Sequence, residues 1–356
     1  MKRSTLLATI GSFTFICFLV TLMFMALPGG SMAADKPIEL KMSVEHPTKG
    51  GKYVRGHLPW SKMVEKASKG RIKITIYPSS SLAKSKENFD GMIGGIVDIG
   101  WMPIPHYPGR FPLTETFTFP APGLNNAIAA SVAAWRMYQE IPEIQKEWDQ
   151  VKILFFHGYL PQTLATTKKE VRVPDDVKGM KLRCAGKGIT SCFKAAGASP
   201  LYVQPPDIFL NLQKNVMEGV NIGFEAQKSF GVTKLAKYYV ELPALSGPIF
   251  AMGMSKKKWD ALGPELQKAV WSVSGEVGAQ LYGRGDDTSS RMVIDEVTKA
   301  GQKVAKLTPE EQEKWMALAR PIRDQMIDDL EKKGLPAKRV YAQFQKFVKE
   351  ASAQYP

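Results

Sequence analysis

The chain has 356 residues, a formal net charge of +14 and only three cysteines. That length is enough to bury cores in more than one domain. Its basic residues are scattered and often stand beside acids, as in Glu310-Glu311-Gln312-Glu313-Lys314, which lacks the clustered footprint of a nucleic-acid-binding surface.

Lys2 and Arg3 precede an apolar run from Leu6 to Leu27, which Pro28-Gly29-Gly30 ends. Ser31-Met32-Ala33 offers small residues at both cleavage-determining positions, so residues 1–33 read as an export signal cut after Ala33. The run is long enough to serve instead as an uncleaved anchor, and the helix-breaking Pro-Gly-Gly favours the cut. Cys17 lies inside the run without the small residues a lipoprotein signal needs, so lipidation is not expected.

Ile38 to Val44 alternates as a strand, and a glycine-bearing loop leads to a helix over Tyr53–Ser68 with Trp60, Met63 and Val64 on its apolar side. A strand over Arg71–Tyr77, a helix over Ser85–Gly94 and a strand over Val97–Gly100 follow. The later part repeats this order: strand Met180–Cys184, helix Gly188–Ala196, strand Pro200–Val203, a helix capped by Asp207 and running to Met217, and strand Val220–Gly223. Such alternation argues for α/β domains with largely parallel sheets. The closing strands match as Val-Asp-Ile-Gly-Trp and Val-Asn-Ile-Gly-Phe, which pairs Trp101 with Phe224. Ligands of open α/β sheets bind beyond the carboxyl ends of the strands, so these two aromatics are either walls of one cleft or ordinary core.

The C-terminal third reads as helical. Gly263-Pro264-Glu265 opens a helix reaching Lys299, roughly 50 Å long at 1.5 Å per residue, with a break possible at Gly275, Gly278, Gly283 or Gly285. Thr308-Pro309-Glu310-Glu311 is a capping box that starts a further helix, which Pro321 should interrupt before it resumes to Lys333.

Few residues offer chemistry. Arg183 ends a short strand just ahead of a glycine-bearing turn, where a planar guanidinium could hold a carboxylate or form a salt bridge. His46 and His106 follow strands of the first half and could rim the cleft, whereas His57 is expected on a helix surface. Glu45 and Glu225 are either a carboxylate pair or a charge-balancing shell around Arg183, and Phe250 is either pocket or hinge core. Cys184 and Cys192 are either buried thiols or a disulfide, and no further Cys or close-spaced His completes a zinc site. No nucleophile elbow, His-Glu-x-x-His helix or phosphate loop appears, so neither an enzyme, nor a cofactor, nor a metal site is expected.

The segments "GRIKITIYPSSSLAKSKENFDGMIGGIVDIG", "KGMKLRCAG", "GASPLYVQPPDIFLNLQKNVMEG" and "MSKKKWDALGPELQKAV" closely resemble the periplasmic solute-binding proteins of TRAP transporters, the DctP family. The resemblance covers essentially the whole chain after the signal. It implies a two-domain α/β periplasmic solute-binding protein fold, with hinge strands and a long helix bridging both domains. The corresponding boundaries are 34–158 with 245–285 for the first domain, and 159–244 with 286–356 for the second. It also implies a periplasmic location, flytrap closure on a small carboxylate, and delivery to membrane permease subunits; presentation of ligand to a membrane sensor is the alternative.

The family's carboxylate-binding arginine falls on Arg183. The asparagine that often contacts ligand aligns one residue away from Asn221, and His157 to Thr163 carries no second arginine. A sugar acid needing many polar contacts is therefore disfavoured. A small or aromatic monocarboxylate suits the Trp101-Met102-Pro103-Ile104-Pro105-His106-Tyr107 loop better. The expected ligand-binding set is Arg183, Trp101 and Phe224, then Tyr107, His46, Glu225, Phe250 and Asn221.

Overall fold

Strand pairing divides the chain between two sheets. The computed structural model describes residues 36–120, 126–159 and 162–355, so the expected export signal lies outside it. The first sheet has the order β2-β1-β3-β10-β4, formed by Ile72–Tyr77 (β2), Ile38–Ser43 (β1), Ile99–Pro103 (β3), Ile249–Ser255 (β10) and Val151–Gly158 (β4). Its first three strands are parallel, and β10 runs antiparallel to both β3 and β4. The alternation seen in sequence is real at β2, where Ile72 and Ile74 are buried while Lys73 and Thr75 are exposed.

The second sheet has the order β11-β9-β5-β8-β6-β7, formed by Lys303–Ala305, Tyr238–Glu241, Thr163–Thr166, Gly219–Asn221, Lys181–Arg183 and Ser199–Leu201. The chain passes from the first sheet to the second after β4 and returns before β10. The two crossings run side by side: Tyr159 N–H donates to Pro248 O at 3.3 Å, and Gln162 N–H to Ser246 O at 3.0 Å.

Helices Leu58–Ala67 (α1), Asn88–Ile93 (α2) and Ala127–Glu140 (α3) belong to the first part of the chain, and Lys187–Ala195 (α4), Ile208–Gln213 (α5) and Phe224–Ser229 (α6) to the middle. Asp207 does not cap α5. It is itself helical, at φ −91° and ψ −7°, because a 3₁₀ turn over Pro205–Asp207 feeds straight into the helix, which stops at Gln213.

The long helix is two. Gly263–Trp271 (α7) ends in a turn, and Gly275–Lys299 (α8) begins at the first of the named glycines, with Gly275 at φ +58°, where glycine carries no steric cost. Along α8, Ala279 and Tyr282 enter the core under the first sheet, while Val293 and Val297 enter a separate core beside the second. At Gly283 an added Cβ would lie 2.7 Å from the Ile128 Cα, so only glycine permits this approach of α8 to α3.

Pro309–Glu331 (α9) starts at the expected capping box, where Glu311 N–H donates to Thr308 Oγ1 and Thr308 N–H to Glu311 Oε2. Pro321 does not interrupt it. Pro321 and Ala317 are both exposed, so the carbonyl that proline deprives of a partner meets water instead. The last helix, Ala337–Gln354 (α10), buries Val340, Phe344 and Phe347 in the first sheet's core, although the sequence boundaries grouped it with the second domain. Cys184 and Cys192 are buried free thiols, and burial pushes them up to about 11 and about 12. Among the described residues no helix is long and apolar enough to cross a membrane.

Candidate functional site

The ends of β3, β4, β6 and β8 converge with the crossing segments on a cavity. One side is aromatic. The Trp101 ring stacks on Phe250 with centroids 4.7 Å apart and planes 17° apart, and its edge meets His46 at 4.7 Å. Trp101 Nε1–H donates to His157 Nε2 at 2.8 Å, which fixes the ring's orientation. Pro103, Pro105 and Pro248 extend this surface.

The facing side carries Arg183 at the end of β6. Leu182 is buried in core, and the period-two alternation turns the next side chain to the cavity. Its Nε donates to Val203 O at 3.0 Å and Nη1 to Asn221 O at 3.2 Å, while Nη2 has no protein partner among the described residues. Among the described residues no carboxylate forms an ion pair with this guanidinium, although it is 2% exposed. Burial pulls its pKa down, opposed by the fields of Tyr202 and Glu45. Glu45 lies on the same cavity and accepts from Ser85 Oγ at 2.6 Å. Burial raises its pKa to about 7, against the Ser85 hydrogen bond and Arg183 and with help from Glu225. His106, also on the lining, is pushed down to about 3 by burial and then by Arg183.

Of the residues singled out in sequence, the fold brings Arg183, Trp101, His46, Phe250 and Asn221 around this space. Three others lie elsewhere. Phe224 packs into the core beside the second sheet and stacks on Tyr239 at 5.9 Å, because it opens α6 instead of ending a strand. Tyr107 is buried behind the lining, its hydroxyl donating to Ser85 O and its ring against Phe111. Glu225 sits deeper, accepting from Lys52 N–H at 2.9 Å and from the Tyr159 hydroxyl at 3.3 Å.

Sequence reading missed the polar layer behind the cavity. Lys52 Nζ pairs with Asp286 and lies 4.0 Å from the Tyr159 ring centroid, with both charges buried. Burial works against each of them, lowering Lys52 and raising Asp286, and their contact opposes it. His57, expected on the surface, is fully buried here, because Tyr282 and His46 supply both its ring nitrogens with partners. Lys52 and Asp286 stand 234 residues apart, and no local pattern announces such a pair. Among the described residues, no group of three or more His, Cys, Asp or Glu could hold a metal ion.

A cavity between two sheets, lined in part by the paired crossing segments that join them, is the plan of a protein that traps a solute. Residues 45–329 match the family model described as bacterial extracellular solute-binding protein, family 7 (DctP), and the chain belongs to that family. A solute-binding protein of Albidiferax ferrireducens is 26% identical over 310 residues, covering 82% of this chain and 90% of that one. The crystal structure of a TRAP solute-binding protein from Rhodoferax ferrireducens, with copurified benzoate, superposes with a TM-score of 0.85 at 24% identity, covering 90% of this chain and 100% of that one. A marine metagenome TRAP solute-binding protein specific for aromatic acids, crystallised with 3-hydroxybenzoate, gives 0.84 at 25% identity, covering 89% and 99%.

Proposed function

We propose that the protein is an extracytoplasmic receptor for a small organic acid, which it delivers to a TRAP-type membrane permease without chemical turnover. The observation that carries this reading is Arg183: a buried guanidinium on the cavity lining with two carbonyl partners and, among the described residues, no partner for Nη2 and no carboxylate of its own. Burying an unpaired charge is costly, so the site is built to be completed from outside. A carboxylate matches the planar fork. Among the described residues no second Arg or Lys lines the cavity, which favours a monocarboxylate. The Trp101–Phe250 stack offers its body an apolar wall, and the aromatic acids held by the two structural neighbours support an aromatic or apolar body.

The mode of action is closure. The part of the chain built on the first sheet, which includes the last helix Ala337–Gln354, and the part built on the second act as two domains hinged at the paired crossings, and ligand stabilises the closed state by binding it better than the open one. The export signal is cut after Ala33 and the mature protein works in the periplasm.

Thermal unfolding of the mature protein against a panel of organic acids and their neutral amides tests this. A ligand at a hundred times its Kd adds about 2.7 kcal/mol, enough to raise the midpoint by several degrees. A rise with an acid, absent with its amide, is the expected result. Rises with amides alone would remove the carboxylate anchor.

A further inference from the structure

On the cavity lining, His46 presents a buried ring nitrogen, Nε2, that has no partner among the described residues. Its other nitrogen belongs to a chain of hydrogen bonds leading away from the ligand space. His46 Nδ1 meets His57 Nε2 at 3.2 Å, and His57 Nδ1 meets the Tyr282 hydroxyl at 2.8 Å. All three side chains are at most 1% exposed. Burial and then nearby charges hold both histidines well below their usual pKa, so each ring is neutral and carries a single N–H.

Only one direction of donation satisfies this chain. If the Tyr282 hydroxyl donates to His57 Nδ1, then His57 Nε2–H donates to His46 Nδ1, and the His46 proton must sit on Nε2. In the opposite direction the Tyr282 hydroxyl proton has no acceptor among the described residues, since His57 is its one hydrogen-bond partner. A buried hydroxyl left without an acceptor is costly, so the first direction wins.

The geometry points to His46 Nε2–H as a fixed donor to a ligand oxygen other than the carboxylate held by Arg183, with Tyr282 and His57 as positioning residues that set its tautomer. His46 meets Trp101 and His57, while the Arg183 guanidinium meets Val203 and Asn221, so donor and anchor reach the ligand space from different elements. Asn221 adds an acceptor: its Nδ2 donates to Thr163 O at 3.0 Å, and Oδ1 has no partner among the described residues. A hydroxyl, which both accepts and donates, meets more of these unpaired groups than an alkyl substituent does. The inference rests on the cavity being an acid site, and it narrows the ligand to acids bearing a hydroxyl or oxo oxygen.

The test uses matched pairs in titration calorimetry: 3-hydroxybenzoate against 3-methylbenzoate, and pyruvate against isobutyrate. Wild type should prefer the oxygenated member of the pair it binds by about tenfold or more, since a site built to hydrogen-bond an oxygen rejects the analogue lacking it. His46→Phe should bring that ratio near one, and His46→Gln, which keeps a side-chain N–H donor, should retain part of it. Nitrogen chemical shifts of the His46 ring should show the Nε2–H tautomer in wild type and a mixture in Tyr282→Phe, a readout that loss of packing alone does not produce. An Nδ1–H tautomer in wild type, or a ratio that His46→Phe leaves unchanged, overturns the inference. If an acid binds through Arg183 but the ratio is insensitive to His46, this inference fails and the acid-receptor reading stands. If no acid binds, or binding survives Arg183→Ala, the receptor reading itself fails.

Discussion

Trp101 and Asn221 hold equivalent positions in the two sheets. Asp98 N–H donates to Lys41 O at 3.0 Å and Glu218 N–H to Lys181 O at 2.8 Å, and each acid's carboxylate accepts from the same lysine's backbone N–H. Ser43 then pairs with Gly100 as Arg183 pairs with Val220, so the next residues outward are Trp101 and Asn221. The halves share a frame but place different chemistry on it. Arg183 stands where the first half has Ser43, and an amide stands opposite an indole.

Removing the anchor should nearly abolish binding. Arg183→Ala is expected to cost about 2–5 kcal/mol in ligand affinity, the range for deleting one partner of a buried charged contact. Arg183→Lys should also bind poorly, because an ammonium cannot reproduce the fork. Calorimetric titration with the acid that stabilises wild type measures both, and full affinity in Arg183→Ala contradicts the assignment.

Phe224 and Phe250 should separate stability from binding. Phe224→Ala is expected to lower unfolding free energy by about 3–5 kcal/mol through the cavity it leaves beside Tyr239, with ligand affinity largely kept. Phe250→Ala strips the Trp101 stack and should weaken ligand binding. Urea unfolding alongside titration checks the pair. Equal losses of affinity in both variants would put Phe224 back on the ligand wall.

Glu45 should make ligand-free stability depend on pH. Its pKa rises from 4.5 to about 7 on burial. Between those values the folded protein holds a proton that the unfolded chain has lost. The stabilisation is therefore complete below pH 4.5 and gone once pH has risen past about 7. Glu45→Gln mimics the protonated acid, so its stability relative to wild type should grow by roughly 3 kcal/mol across that window at 1.36 kcal/mol per unit. Buried neutral His46, His57 and His157 act oppositely, losing stability as pH falls past 6.5, and cancel in the difference. A difference that stays flat with pH would mean that Glu45 titrates normally.

Lys52 and Asp286 should be interdependent. Lys52→Met leaves a buried carboxylate alone and should cost about 3–5 kcal/mol, whereas Lys52→Met with Asp286→Leu should cost less than either single change. Denaturant unfolding of the four proteins gives the coupling directly. Additive costs would show that the two charges are solvated separately.

What the sequence made legible was periodicity and local chemistry. The alternation in β1 and β2, the Thr308 capping box and the strand end bearing Arg183 all rest on neighbouring residues, and each appears where expected. The errors arose where tertiary context decides. Matching Val-Asp-Ile-Gly-Trp to Val-Asn-Ile-Gly-Phe placed Phe224 opposite Trp101. Backbone pairing sets the register three residues earlier, at Asn221. Pro321 reads as a breaker because its cost is counted without knowing that its side of α9 is wet. The Tyr282–His57–His46 chain joins residues 225 and 11 positions apart, so only the packing of α8 against the segment after Lys52 reveals it.

Helix α8 also limits how this chain can change length. Tyr282 must face His57 while Val293 and Val297, farther along the same helix, face the other core. One residue inserted between them would rotate the far end by about 100° and swing both valines out of their core. Loops can lengthen as the sequence drifts, but the stretch from Tyr282 to Val293 acts as a fixed spacer.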